Sequence, residues 1–378
     1  MLVLTEDEAM LRDSAKGFLA EAAPVSQLRA LRNGRDETGF SRELWRSIAE
    51  MGWTGVLVPE EYGGLAFGNV GAALICEEMG RTLTASPFLS TAVMAATALT
   101  GGGSEAQRRR WLPAIVAGEA ILALAVDEGR KHDPAQTALR AEKSGNGFRL
   151  DGTKTFVADG HVADALIVAA RTSGEPGERD GLSLFLVDGT AQGLSRERTI
   201  MVDSRNAARL TFEGVQVDDA DALGDIGRGH DLLERVLDAG RTGLAAELSG
   251  VAQESFDRTV SYMKQRQQFG KPIGAFQALQ HRAAHLYSEI EVTKSVVLAA
   301  AQALDRKPDK AGPNVSLAKA KAAEVARLAV SEAVQIHGGI GMTDEIEVGL
   351  FMKRARVAAE MFGDSGFHAD RIARLRGF

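Results

Sequence analysis

The sequence predicts a mainly helical α+β chain, with an N-terminal helical domain over 1–118, a middle antiparallel β domain over 119–219 and a C-terminal four-helix bundle over 220–378. Three observations predict it. Apolar residues recur three and four apart at both ends of the chain, whereas the middle third breaks into short β-like runs divided by Gly and Asp. Pro272, Pro308 and Pro313 fall between the C-terminal helical blocks and not within them. The length of 378 residues, 45% of them hydrophobic, is enough for two or three domains with their own cores.

The helical period opens in "DEAMLRDSAKGFLAEA", where Thr5 and Glu8 form a capping-box pair. It continues through "SRELWRSIAEMGW" and "GNVGAALICEEMGRTL", with Gly-rich breaks at "EYGGLAFGN" and "TGGGS". The β-like runs are "ILALAV", "TALRAE", "GFRLDGTKTFV", "ALIVAAR", "LSLFLVD" and "ARLTFEGVQV". No helix of useful length fits among them, so an antiparallel sheet or barrel is expected and a nucleotide-binding βαβ fold is not. "RTSGEPGERDG" reads as a surface loop. After Asp221 four helical blocks follow, around 228–268, 275–305, 314–338 and 344–374.

The charge balance, 44 basic against 51 acidic residues, leaves a net charge of −7 and no basic footprint for nucleic acid or an anionic membrane. Small molecules and other proteins are the expected partners. Cys76 is the only cysteine, which excludes an intrachain disulfide; the beginning "MLVLTEDEAM" carries no leader pattern, and a cytoplasmic setting is expected. No run approaches the ~18 uninterrupted apolar residues of a membrane span. His281 and His285 stand four apart, as a metal pair would, but no third ligand lies near them; they read as histidines on a helix face and no metal is expected. "QRRRW" (107–111) reads as a solvated helix face and Cys76 as a packed residue without a basic neighbour.

Five segments, taken with this domain order, resemble the flavin-dependent acyl-CoA dehydrogenase family: "EEYGG" (60–64), "EEMGR" (77–81), "DGTKTFVADG" (151–160), "RQQFGKPIGAFQALQH" (266–281) and "QIHGGIGMT" (335–343). The likeness covers nearly the whole chain, with the motifs in the family's order. It implies FAD as cofactor, an acyl-CoA substrate, an electron-transferring flavoprotein as electron partner, and a homo- or hetero-oligomer in which FAD is shared with a neighbouring subunit. By the same resemblance Arg266 and Phe269 are the residues of an R-x-x-F-G motif whose Arg reaches the pyrophosphate of FAD held mainly by the neighbouring subunit, Gln277 belongs to that cofactor set, and Gln335, Gly338 and Gly339 match a second flavin motif in which missing side chains let the backbone approach the dinucleotide. Phe156 and Val157 sit where a relative's β domain packs on the flavin ring.

The resemblance also implies a glutamate that removes the α-proton of the thioester. At the C-terminal position used by most members this chain has Phe362, in "MFGDS", and at the alternative position before Arg241 it has Gly240. Glu247 is the remaining candidate. Positions 240, 243, 244, 247 and 251 share one helix face, and Gly240, Gly243, Leu244 and Val251 make it small and apolar, with Glu254 and Asp257 turned outward. The other reading of Glu247 is a pair with Arg241 or with a basic residue of a neighbouring helix; Glu360 is the reserve base. Arg241 is expected to support the pocket electrostatically, and relatives imply an oxyanion donor in the backbone N–H of Phe362. Asp127 and Asp364 stand where relatives make flavin contacts and put unexpected negative charge there. "EGR" and "AAELSG" look like the small-subunit type found in pimeloyl-CoA dehydrogenases and α2β2 steroid-CoA dehydrogenases. Two alternatives to a dehydrogenase therefore stand: a partner subunit without base or FAD, and a same-fold flavin oxidase or monooxygenase.

Overall fold

The computed structural model describes residues 3–378. Six helices come first: α1 (Glu6–Ala22), α2 (Val25–Gly34), α3 (Arg42–Glu50), α4 (Asn69–Thr82), α5 (Ala96–Gly102) and α6 (Glu105–Val116). Strands β1 (Leu122–Ala125), β2 (Arg140–Ser144), β3 (Gly147–Ala158), β4 (Ala165–Arg171), β5 (Leu182–Asp188), β6 (Leu194–Ile200), β7 (Asn206–Asp218) and β8 (Ala222–Leu223) follow. The chain ends with α7 (His230–Gln265), the small hairpin β9 (Gln267–Gln268) and β10 (Lys271–Pro272), then α8 (Gln277–Arg306), α9 (Gly312–His337), α10 (Val348–Glu360) and α11 (Ser365–Arg376). No helix among the described residues is long and apolar enough to cross a membrane.

These elements gather into two compact units, one of residues 3–30, 69–84 and 241–378, the other of residues 31–68 and 85–240. The second holds the sheet, in the order β6-β7-β3-β2-β4-β5-β8, with β1 also paired to β4. Pairing is antiparallel except that β1 runs parallel to β4 and β2 meets β4 in parallel at Arg140 and Arg171. β4 and β5 are buried almost throughout, which is why they read as unbroken apolar runs. β6, "LSRERTI", carries no such signal: it is mostly solvated and is held by its pairing with β7. In β3 the register against β7 jumps between Lys154 and Val157, a bulge in which Phe156 takes φ +52°. The bulge breaks the alternation of faces. Phe156 is turned out and Val157 is turned into the sheet core.

In the helical unit the capping box at α1 is formed: the Glu8 N–H donates to Thr5 Oγ1 and the Thr5 N–H to Glu8 Oε2. α8, α10 and α11 each pack on α9, and α1 packs on α4. The last of the four predicted blocks is two helices and not one. Phe362 and Gly363 both have positive φ, +55° and +108°, and Asp364 caps a new helix by accepting the Phe367 N–H at 2.8 Å. α4 and α7 touch backbone to backbone. A Cβ placed on Gly80 would come 2.1 Å from the Glu247 carbonyl oxygen, and one on Gly250 would come 1.9 Å from that of Glu77. Backbone cannot yield as a side chain does, so Gly250→Ala should destabilise the fold by about 3 kcal/mol or more, read by urea unfolding. A loss under about 0.5 kcal/mol would mean that the two helices slide apart freely.

Candidate active site

The middle of α7 is lined by small and apolar residues; Gly243, Leu244 and Val251 are buried there, and among them stands Glu247, 7% exposed. Its Oε1 accepts a hydrogen bond from Arg354 Nη1 at 3.0 Å, and Arg354, on α10, is itself buried. A buried carboxylate needs such a partner to stay ionised. The pairing with a basic residue of another helix is thus the arrangement found. Glu254 and Asp257, about two and three turns further on, meet Arg81 of α4 at 2.9 and 3.0 Å. At the position before Arg241, Gly240 is covered by Met94: a Cβ there would lie 2.8 Å from Met94 Sδ, so a side chain would have to displace that methionine. Glu360, the reserve base, faces solvent and pairs with Arg356 at 3.4 Å, which removes it from consideration.

Arg241 is fully buried, lies over the Phe367 ring and donates from Nε to the Phe362 carbonyl oxygen at 3.2 Å. Lys319, on α9, is buried as completely, and its Nζ donates to the carbonyl oxygens of Ala359 and Gly363 at 2.9 and 3.0 Å. Two buried cations therefore grip the turn that joins α10 to α11. A left-handed residue other than Gly costs about 1–2 kcal/mol, so Phe362 holds its φ of +55° only because its surroundings impose it.

Sequence reasoning missed Arg354 and Lys319. Lys319 had left a signal: it shares α9's buried face with Val315, Ala322, Ala326 and Ala329, where a lysine is out of place.

Models of the N-terminal, middle and C-terminal domains of acyl-CoA dehydrogenases match residues 5–119, 126–215 and 227–375. The chain belongs to the acyl-CoA dehydrogenase family. Among its relatives, the 3-(aryl)acrylate reductase of Clostridium sporogenes is 31% identical over 96% of this chain and 97% of its own. The caffeyl-CoA reductase-Etf complex subunit CarC of Acetobacterium woodii is 31% identical over 94% of both. The ChsE4-ChsE5 complex from Mycobacterium tuberculosis contains a chain with a TM-score of 0.90, 28% identity and coverage of 100% of this chain and 99% of that one. Acyl-CoA dehydrogenases are FAD-dependent oxidoreductases acting on CH–CH bonds, and FAD is the cofactor of this chain.

Most of the residues that the resemblance assigns to FAD are exposed. Arg266 is exposed at the end of α7, and among the described residues its guanidinium has no carboxylate partner. Phe269, at the tip between β9 and β10, is 90% exposed. Gln277 opens α8 and Gln335 lies in the last turn of α9, both exposed. Gly338 has φ +65° and ψ −139°, a conformation for glycine alone, and a Cβ on Gly338 or Gly339 would meet nothing within 4 Å. Backbone is open there for close approach by a dinucleotide.

Three expectations about the cofactor residues change. Val157 is 2% exposed in the sheet core, so of the pair only Phe156, 49% exposed, is presented outward. Asp364 uses its Oδ1 as the cap of α11; an Asp three residues ahead of a helix's first apolar position carries that signal. Asp127 turns its Oδ1 to His132 Nδ1 at 2.8 Å, inside its own loop, so its carboxylate is engaged within the protein. Beside Phe156 the buried Asp159 accepts a hydrogen bond from Ser90 Oγ at 2.7 Å, and burial pushes its carboxyl up to about 6.

Proposed function

We propose that this chain oxidises an acyl-CoA thioester to its trans-2-enoyl form, with Glu247 as the base that takes the α-proton. What carries the reading is the position of that carboxylate: buried, on the small-residue face of α7, while Phe362 and Gly240 occupy the two places where relatives keep their glutamate. FAD, when bound, supplies the acceptor for the β-hydrogen, which leaves as hydride. The thioester thus loses a proton to Glu247 and two electrons with the hydride. As the α-proton departs, negative charge grows on the thioester oxygen, and the Phe362 N–H is the donor proposed to receive it. Arg241 fixes that residue through its carbonyl, and Arg354 holds the Glu247 carboxyl by a hydrogen bond.

Electron transfer to an electron-transferring flavoprotein is part of the proposal; the relative from Acetobacterium woodii is named as a subunit of a complex with one. Reductases occur among the relatives, and the same groups catalyse both directions. Electron partner and substrate then decide the direction. A second reading is favoured by one observation: the Glu247–Arg354 pair is what a purely structural carboxylate makes, as in a partner subunit of a heteromeric enzyme.

Purifying the chain alone with FAD separates the two. A yellow protein bleached by acyl-CoA without oxygen is expected. A colourless one that gains activity only with a second polypeptide would establish the partner subunit, and rapid oxygen consumption would establish an oxidase.

A further inference from the structure

We propose that Lys319 is a positioning residue of the oxyanion site: with Arg241 it clamps the 359–363 turn so that the Phe362 N–H stays directed at the thioester oxygen, and its buried charge favours the enolate. This rests on the function proposed above.

The geometry is a grip from two helices. Lys319 Nζ holds the carbonyls of Ala359 and Gly363, and Arg241 Nε holds that of Phe362 between them. Carbonyls on both sides of the Met361–Phe362 peptide are thereby held, which limits the rotation left to the peptide that carries the Phe362 N–H. Position 363 has no room for a side chain, since a Cβ there would lie 2.4 Å from Phe367 Cδ1 and 2.9 Å from His368 Nε2.

Capping the end of α10 needs a donor, and a solvated lysine would supply it. Full burial of an ammonium beside a second buried cation goes beyond that need and opposes folding. Such a cost is tolerated where charge has a use. The groups around Lys319 are Arg241 and Glu247 from α7, Arg354 and Glu360 from α10, Asp364 from the turn, and His368 and Arg371 from α11, the last bonded to Ser316 of α9. Burial is the main reason that the ammonium is pushed down to about 7, with Arg241 adding to it and Glu360, Asp364 and Glu247 opposing it. The clamp therefore loses its charge as pH rises through that value.

A 3-oxoacyl-CoA tests the proposal, because it ionises at the α-carbon to an absorbing enolate without giving up a hydride. With the wild-type holoprotein the bound analogue should ionise more readily than the free one, and this advantage should fall as pH rises from 6 to 8. Lys319→Met should cut the enolate's ionisation constant about tenfold, a small part of what losing a direct oxyanion donor costs. It should also lower the flavin-reduction rate with little change in KM, whereas Lys319→Arg should keep most of both. A folded, flavin-bearing Lys319→Met protein whose analogue ionises within twofold of wild type would overturn the role of Lys319 alone. If that variant does not fold, a wild-type ionisation advantage that is flat between pH 6 and 8 overturns it equally. No enolate on the wild-type protein would overturn both this role and the proposed function.

Discussion

Glu247→Gln should slow the reduction of bound flavin by an acyl-CoA thioester by about 10²–10⁴-fold, the usual contribution of a general base. The substitution keeps the side chain's size and leaves an amide oxygen for Arg354 Nη1, so the contacts of α7 and α10 change little. What is lost is the ability to take a proton. The melting temperature should fall, since the buried Arg354 keeps an acceptor but loses its counter-charge, and flavin content should stay close to wild type, so a rate measured on the folded, flavin-bearing protein separates a chemical defect from a folding one. Stopped-flow absorbance in the absence of oxygen reads the rate directly; a rate within threefold of wild type would leave Glu247 as the structural member of an ion pair.

Arg354→Met produces the largest stability effect expected of a single change at the site. It strips the partner from a carboxylate that is 7% exposed, and breaking a buried pair from one side costs about 3–5 kcal/mol. Methionine fills most of the space, so the loss reports the stranded charge more than a cavity. The double variant Arg354→Met with Glu247→Gln should recover a large part of that loss, since no ion is left behind, and the coupling between the two should exceed about 1 kcal/mol in a double-mutant cycle. Denaturant unfolding of the four proteins measures it. Additive effects would mean that the pair contributes nothing as a pair.

Periodicity is a local property, and it showed as much of the fold as is local. The helical blocks and the apolar strands β4 and β5 were visible because their residues repeat at the spacing of the element they form. β6 was not, because its side chains are solvated and only β7 holds it in place. The break between α10 and α11 was hidden for a related reason. Helical spacing continues across Met361–Asp364, and the left-handed turn at Phe362 is imposed from outside by Arg241 and Lys319.

The site divides in the same way. Glu247 stood out as a charge in a stripe of small residues, and Arg266, Phe269, Gln335 and Gly338 stood out through motifs. Arg354 and Lys319 lie 107 and 72 positions beyond Glu247 on helices of their own, and no pattern in a linear sequence joins them to it. The partners of Asp127 and Asp364, His132 and the Phe367 N–H, were equally invisible as contacts in the linear sequence.

The most direct measurement follows the α-proton itself. An acyl-CoA incubated in D2O with the holoprotein should take up deuterium at its α-carbon, because Glu247 removes the proton, exchanges it with solvent and returns a deuteron even when no hydride leaves, and Glu247→Gln should bring the uptake close to the uncatalysed level. Uptake by the variant at the wild-type rate would contradict the account, for proton removal would then belong to another group.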